Sequence, residues 1–88
     1  MQVEYRKKFL KQLADLPASV RPKIEQFAFE DLAHSNSIFE LGKIEKIQGY
    51  DGFYKVRFGD YRVGLIVKDD LVVVATVMHR KEIYKFFP

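Results

Sequence analysis

The stretch that most constrains this chain is Phe53-Tyr54-Lys55-Val56-Arg57-Phe58-Gly59-Asp60-Tyr61-Arg62-Val63-Gly64-Leu65-Ile66-Val67. Two runs rich in β-branched and aromatic residues flank Gly-Asp, a dipeptide of the kind that closes tight hairpins. With Gly59 and Asp60 as the loop, Phe58 faces Tyr61, Arg57 faces Arg62, Val56 faces Val63 and Lys55 faces Gly64. Side chains alternate sides along a strand. One face therefore carries Tyr54, Val56, Phe58, Tyr61, Val63 and Leu65, a core surface. The other carries Lys55, Arg57 and Arg62 around Gly64, which has no side chain. Like charges directly opposite each other are destabilising. Two cross-strand arginines beside a lysine and an open space suit an anion, and the commonest polyanion is a nucleic-acid backbone. The same cations also suit an ordinary solvated face.

Composition narrows the classes. The 88 residues are enough for one small domain, 1–88, with a single core. A hydrophobic content of 48% and an aromatic content of 15% argue for a folded globule over a disordered tail. Cysteine is absent, which rules out disulfides, thiolate metal sites and a thiol nucleophile, and fits a reducing cytoplasm. No apolar run approaches the roughly 18 residues of a membrane helix, and the N-terminus lacks the order of a signal peptide, so neither a membrane span nor export is expected. The net charge of +3 favours an acidic partner without by itself establishing nucleic-acid binding.

The periodicities order the rest. Met1 to Tyr5 read as a short strand, and Phe9, Leu10, Leu13 and Leu16 then recur at the spacing of one helix face. After Pro17, Val20, Ile24, Phe27, Ala28, Asp31 and Leu32 form a second, largely apolar stripe, with Arg21, Lys23, Glu25 and Glu30 outward. So short a break predicts an antiparallel helical hairpin that needs a sheet to cover. His34-Ser35-Asn36-Ser37 ends it. Strands follow at Lys43-Ile44-Glu45-Lys46-Ile47 and in the hairpin, and the Asp69-Asp70 turn leads into Leu71 to Met78, apolar enough to be covered on both faces. Ile83 to Pro88 read as one helical turn or a tail. The expected fold is α+β: an N-terminal strand, an antiparallel helical hairpin packed on a mainly antiparallel twisted sheet, and a short C-terminal helix or tail.

Two histidines with no HExxH spacing argue against a metal enzyme, and no glycine loop matches a phosphate cradle, so neither metal nor cofactor is expected. In an ideal register through the Asp69-Asp70 turn, Lys68 faces Leu71, Arg62 faces Val77, and His79 falls on the face of Arg57 and Arg62 with Arg80 at the rim. Guanidiniums bind phosphate bidentately and would stabilise the extra charge of a pentacoordinate transition state. RNA suits such a site, because its 2′-hydroxyl is an internal nucleophile.

The string Gly49 to Gly64, followed by an apolar strand and His79-Arg80-Lys81-Glu82-Ile83-Tyr84, resembles the RelE/ParE toxin superfamily of toxin-antitoxin modules. The resemblance spans nearly the whole chain, including the opening strand and the helical hairpin around Leu16-Pro17. It implies a RelE-like endoribonuclease that cuts mRNA in the ribosomal A site without metal and is neutralised by a cognate antitoxin, with the ribosome and mRNA as its other partners. Carried over by position, Arg62 and Arg80 stabilise the transition state, and Lys55 and Arg57 match a basic pair whose members in RelE-like enzymes include a proposed general base. Arg57 cannot accept a proton at neutral pH. Lys55 qualifies if its cationic neighbours weaken its hold on a proton. Glu45, in Gly42-Lys43-Ile44-Glu45, matches the base of the YoeB-like branch, or is simply a strand carboxylate paired with Lys43 or another basic neighbour.

His79 is a candidate general acid, although neighbouring cations would disfavour its protonated form. Tyr84 matches a tyrosine that orients the nucleophile or stacks on a base, or else it packs the tail. Lys43, Lys81, Phe53 and Tyr50 are further candidates for RNA contact. Phe86 and Phe87 read as tail anchors or antitoxin contacts. Two other functions share the fold: a ParE-like poison of DNA gyrase, and an inactive member that only binds its antitoxin.

Overall fold

The computed structural model describes residues 1–88. In chain order the elements are β1 Gln2–Tyr5, α1 Lys7–Ala14, α2 Arg21–Glu25, a π-helical segment Gln26–Asp31 and α3 Leu32–His34. A 3-10 turn Ile38–Leu41 leads to β2 Ile44–Lys46, β3 Phe53–Phe58, β4 Tyr61–Lys68, β5 Leu71–His79 and α4 Arg80–Phe86. The strands form one sheet ordered β1-β5-β4-β3-β2, in which only the β1–β5 pair is parallel. This is the expected α+β arrangement, with the C-terminal segment a helix.

The helical hairpin covers one face of the sheet. Phe9 and Leu13 of α1 and Ile24, Phe27, Ala28 and Leu32 beyond it pack onto Val56, Phe58, Val63, Leu65, Val72, Val74 and Val77. Pro22 sits in the first turn of α2, where its missing N–H has no intrahelical partner to lose. The π-helical segment adds a residue to its turn, so the stripe slips and Asp31, read from sequence as part of it, lies exposed and accepts from Gln26 Nε2 at 3.2 Å. The Tyr5 hydroxyl donates to the Ala28 carbonyl inside this segment at 2.6 Å, tying β1 to the helix. Burial, and then the nearby Glu30 carboxylate, hold the Tyr5 phenol above its ordinary value of 10.0.

The β3–β4 register is the one the hairpin dictates, from Phe58 opposite Tyr61 to Lys55 opposite Gly64. The β4–β5 register begins as expected at Lys68–Leu71 but changes midway: Leu65 pairs with Val74, while Gly64 pairs with Thr76. Ala75 is left over as a bulge, and a bulge inverts the alternation beyond it. Arg62 consequently faces Met78, not Val77, and His79 faces Tyr61. Gln12 of α1 holds the irregularity. Its side-chain oxygen accepts from the Thr76 hydroxyl at 2.7 Å and from the Val77 N–H at 3.0 Å.

α4 covers part of the other face. Ile83 and Phe87 pack on Ala75, with Ile47, Phe53, Ile66 and Met78 around them. The space expected beside Gly64 is filled: a Cβ there would stand 2.7 Å from Cε2 of the Phe87 ring. Glycine is what lets the aromatic ring lie against β4.

Two outcomes follow from these contacts. Gln12→Ala should lower the unfolding free energy by about 2 kcal/mol, since it strands two donors in the core, as read by urea denaturation. Tyr5 in its neutral form stabilises the fold, because its folded pKa is raised. That contribution is complete below pH about 10 and is lost as the pH rises through the folded value. Tyr5→Phe should therefore cost about 1 kcal/mol at neutral pH and flatten the alkaline fall in stability, as followed by thermal melts across pH.

Candidate active site

The second face of the β3–β4 hairpin carries Lys55, Arg57 and Arg62, and α4 brings Arg80 and Tyr84 to its border. Arg57 and Arg62 are directly cross-strand. Their mutual repulsion is relieved because Arg62 turns its guanidinium toward the hairpin end, where Nη1 donates to the Gly59 carbonyl at 2.7 Å and to the Tyr61 carbonyl at 2.9 Å. Arg62 is only 9% exposed, whereas Arg57 is exposed. Arg62 thus also holds the turn in shape, and replacing it disturbs more than a charge.

Arg80 is tied to the same turn. Its N–H donates to the Asp60 carbonyl at 2.7 Å, and its Nε lies 3.8 Å from the Asp60 carboxylate. Both side chains of that ion pair are more than half exposed, so it orients more than it stabilises. Tyr84 lies one helical turn beyond Arg80, on the same side of α4. Lys55 Nζ donates to the Tyr84 hydroxyl and sits 4.4 Å from the centre of its ring. Glu45 is directly cross-strand from Lys55, exposed and outside any ion pair, so the paired-carboxylate reading of Glu45 does not hold.

Other candidates fall elsewhere. His79 is not beside Arg57 and Arg62: the β5 bulge turns it to the opposite face, where its ring meets Tyr61 edge-on at 5.6 Å. There it lines a cavity of about 510 Å³ with Lys8, Gln12, Asp15 and Glu82, and its Nδ1 accepts the Lys81 N–H at the start of α4. Phe53 is half-buried against Phe87, with ring centres 5.6 Å apart, because the apolar underside of α4 needs it. Lys43 lies over the Phe58 ring at 5.6 Å, and Lys81 is exposed on the first turn of α4. Phe87 is an anchor, while Phe86 is 61% exposed.

The basic face therefore gathers three arginines, a lysine, a tyrosine and a nearby carboxylate, with His79 excluded. A family model described as the ParE toxin of the type II toxin-antitoxin system parDE matches residues 3–84. The chain is 39% identical over 89 residues to Toxin RelE3 of Methanocaldococcus jannaschii, covering all of both chains. The chain belongs to the RelE/ParE toxin superfamily. The crystal structure of the RelB-RelE antitoxin-toxin complex from Methanococcus jannaschii is similar to it, with a TM-score of 0.80, 37% identity and coverage of 97% of this chain and 99% of that one. The archaeal RelE-RelB complex from Pyrococcus horikoshii matches with a TM-score of 0.69 and 25% identity over 90% and 93% of the two chains.

Two residues that shape this arrangement carried no sequence signal of their own. Asp60 looks like any turn aspartate, and only the arrival of α4 shows that it holds Arg80. Gln12 looks like a solvent residue of the first helix, and only the bulge gives it partners. Asp60→Ala should leave the melting temperature within a few degrees of wild type, as expected for an exposed pair worth about 0.2–1 kcal/mol. It should also lower the heteronuclear NOE of the Arg80 Nε in NMR relaxation as that side chain loses its restraint.

Proposed function

We propose that this toxin is an endoribonuclease that cuts mRNA on the ribosome. The observation that carries the reading is the convergence of Arg57, Arg62, Arg80, Lys55 and Tyr84 on one partly covered face. The 2′-oxygen attacks the adjacent phosphorus and its proton passes to a base. The bond to the 5′-oxygen breaks, and that oxygen takes a proton. Arg57 and Arg80 neutralise the phosphate as its charge grows, and Arg62 supports them from the turn. No metal is required, since guanidiniums supply the charge. Lys55 and Tyr84, already hydrogen-bonded to each other, handle the transfers. Glu45, opposite Lys55 and free of an ion pair, is the carboxylate within reach. Lys43 and Lys81 extend the positive surface for the ribosome-bound strand.

Dependence on the ribosome follows from the same inventory. A site without a strong, isolated base gains most of its rate from substrate positioning and charge stabilisation, which a rigid scaffold around the mRNA provides. The RelB-RelE complexes among the similar structures support a cognate antitoxin as partner. With net charge +3 and an unpaired Arg57, an acidic segment laid over this face would be the simplest inhibitor. No helix is long and apolar enough to cross a membrane, and we place the action in the cytoplasm, where the mRNA is translated.

The ParE description of the matching family model favours a second reading, a poison of DNA gyrase acting through protein contacts. Mapping mRNA 5′ ends by primer extension, with and without translation, separates the two. Wild type should produce translation-dependent ends. Arg80→Ala should reduce them about a hundredfold, the effect of losing one preorganised donor at about 3 kcal/mol, while keeping the fold. Growth arrest with a DNA-damage response and no new ends would establish the gyrase reading instead.

A further inference from the structure

Beside the phosphate-binding face lies a cleft of about 600 Å³, lined among others by Lys46, Gln48, Tyr50, Lys55 and Tyr84 over the Phe87 ring. Its size falls in the range of sites that hold small ligands. Its lining differs in kind from the arginine cluster: two tyrosines form parts of its wall, an amide stands at its side and two ammonium groups border it. Lys55 belongs to both regions, through its bond to Tyr84 on one side and its place in the hairpin on the other. A phosphate held at the hairpin would therefore have this cleft as the next compartment along the strand.

The segment that carries Gln48 and Tyr50 is built and not loose. The Ile47 N–H donates to the Phe53 carbonyl at 2.8 Å, the Tyr50 N–H to the Ile47 carbonyl at 3.3 Å, and the Phe53 N–H to the Tyr50 carbonyl at 3.3 Å. The loop is also tied to β4: the Val67 N–H donates to the Gly52 carbonyl at 2.7 Å. Gly52 adopts φ +81°, and a Cβ there would stand 2.7 Å from the Val67 carbonyl oxygen, so the close approach requires glycine. The Tyr50 ring rests edge-on against Phe53 at 6.2 Å and remains 52% exposed. Asp51 pairs with Lys46 at 3.5 Å at the outer rim, which places the acidic group of the loop on a lysine.

We propose that this cleft is a subsite for one unpaired nucleobase adjoining the scissile phosphate, with Tyr50 as its stacking wall and Gln48 as the residue that reads the base edge. The inference rests on the RNA-cleavage reading and deepens it. Unpaired bases are recognised by stacking on aromatic side chains and by hydrogen bonds along their edges. A glutamine amide offers both donors and an acceptor for that purpose. Of the two aromatic residues of the 47–53 loop, Tyr50 and not Phe53 is available, because Phe53 is committed to Phe87. The lysines at the border draw in the adjoining backbone.

The test maps cleavage ends across translated mRNAs in cells expressing wild type, Tyr50→Ala, Tyr50→Phe, Gln48→Ala or Arg80→Ala. Wild-type ends should show a base bias at one position next to the cut. Tyr50→Ala should reduce cutting about tenfold, the scale of one lost base–aromatic stack. Tyr50→Phe should restore it, and Gln48→Ala should even out the base distribution. Gln48→Ala alters none of the backbone bonds of the loop and keeps the test decisive should Tyr50→Ala loosen the turn. If wild type cuts, Arg80→Ala does not, and Tyr50→Ala and Gln48→Ala both match wild type in rate and base distribution, the subsite is overturned while the cleavage reading stands. If wild type makes no cuts, both fall together.

Discussion

The geometry of this molecule depends on one irregularity, the extra residue in β5 held by the side chain of Gln12. Strand side chains alternate, so an added residue exchanges the two faces for everything beyond it. Here that exchange sends Met78 under α4 and His79 back toward α1. It also sets where the strand ends relative to the hairpin. Arg80 emerges opposite Asp60, its N–H bonds to the Asp60 carbonyl, and the His79 ring caps the next turn through Lys81. The helix that follows is thereby launched across the basic face.

A cluster of cations on one face is unfavourable in itself, and each is handled differently. Arg62 is buried against turn carbonyls, Arg80 is held loosely by an exposed carboxylate, and Lys55 donates a hydrogen bond to a phenol. Arg57 is left without an acidic partner. These arrangements satisfy hydrogen-bonding groups without cancelling the positive field, because Asp60 is the one carboxylate ion-paired with any of these cations. A phosphate can displace a weak, exposed ion pair and gain charge-assisted bonds in its place. On the proposed RNA-cleavage reading, the site is positioned in advance and still open to a phosphate.

Much of this was legible in the chain. The Gly59-Asp60 turn defined register and faces as far as Gly64, because the period of two leaves no freedom in a short hairpin. The helical stripes located the core, and the order of elements carried the family resemblance. The bulge was not legible, since Ala75 carries no glycine or proline signal and Gln12, which accepts from Thr76 and Val77 just beyond it, is 64 and 65 residues from them in sequence. The misplacement of His79 and the pairing of Arg62 with Met78 both follow from that one omission. The slip at Asp31 has the same origin in the helix, where a π turn changes the period that a sequence reading assumes.

What the sequence determined by itself is local: two strands closed by a dipeptide turn, three cations on one side, and apolar stripes that require a sheet and helices to pack. These depend on backbone geometry and side-chain alternation over a few residues. Only the tertiary structure decided what covers the basic face. The Phe87 ring occupies the place beside Gly64, Tyr84 meets Lys55, and the 47–53 loop stands across the cleft from them. Those contacts join segments distant in sequence, and they exist because burial of Ile83 and Phe87 on Ala75 draws the C-terminal helix down onto the sheet.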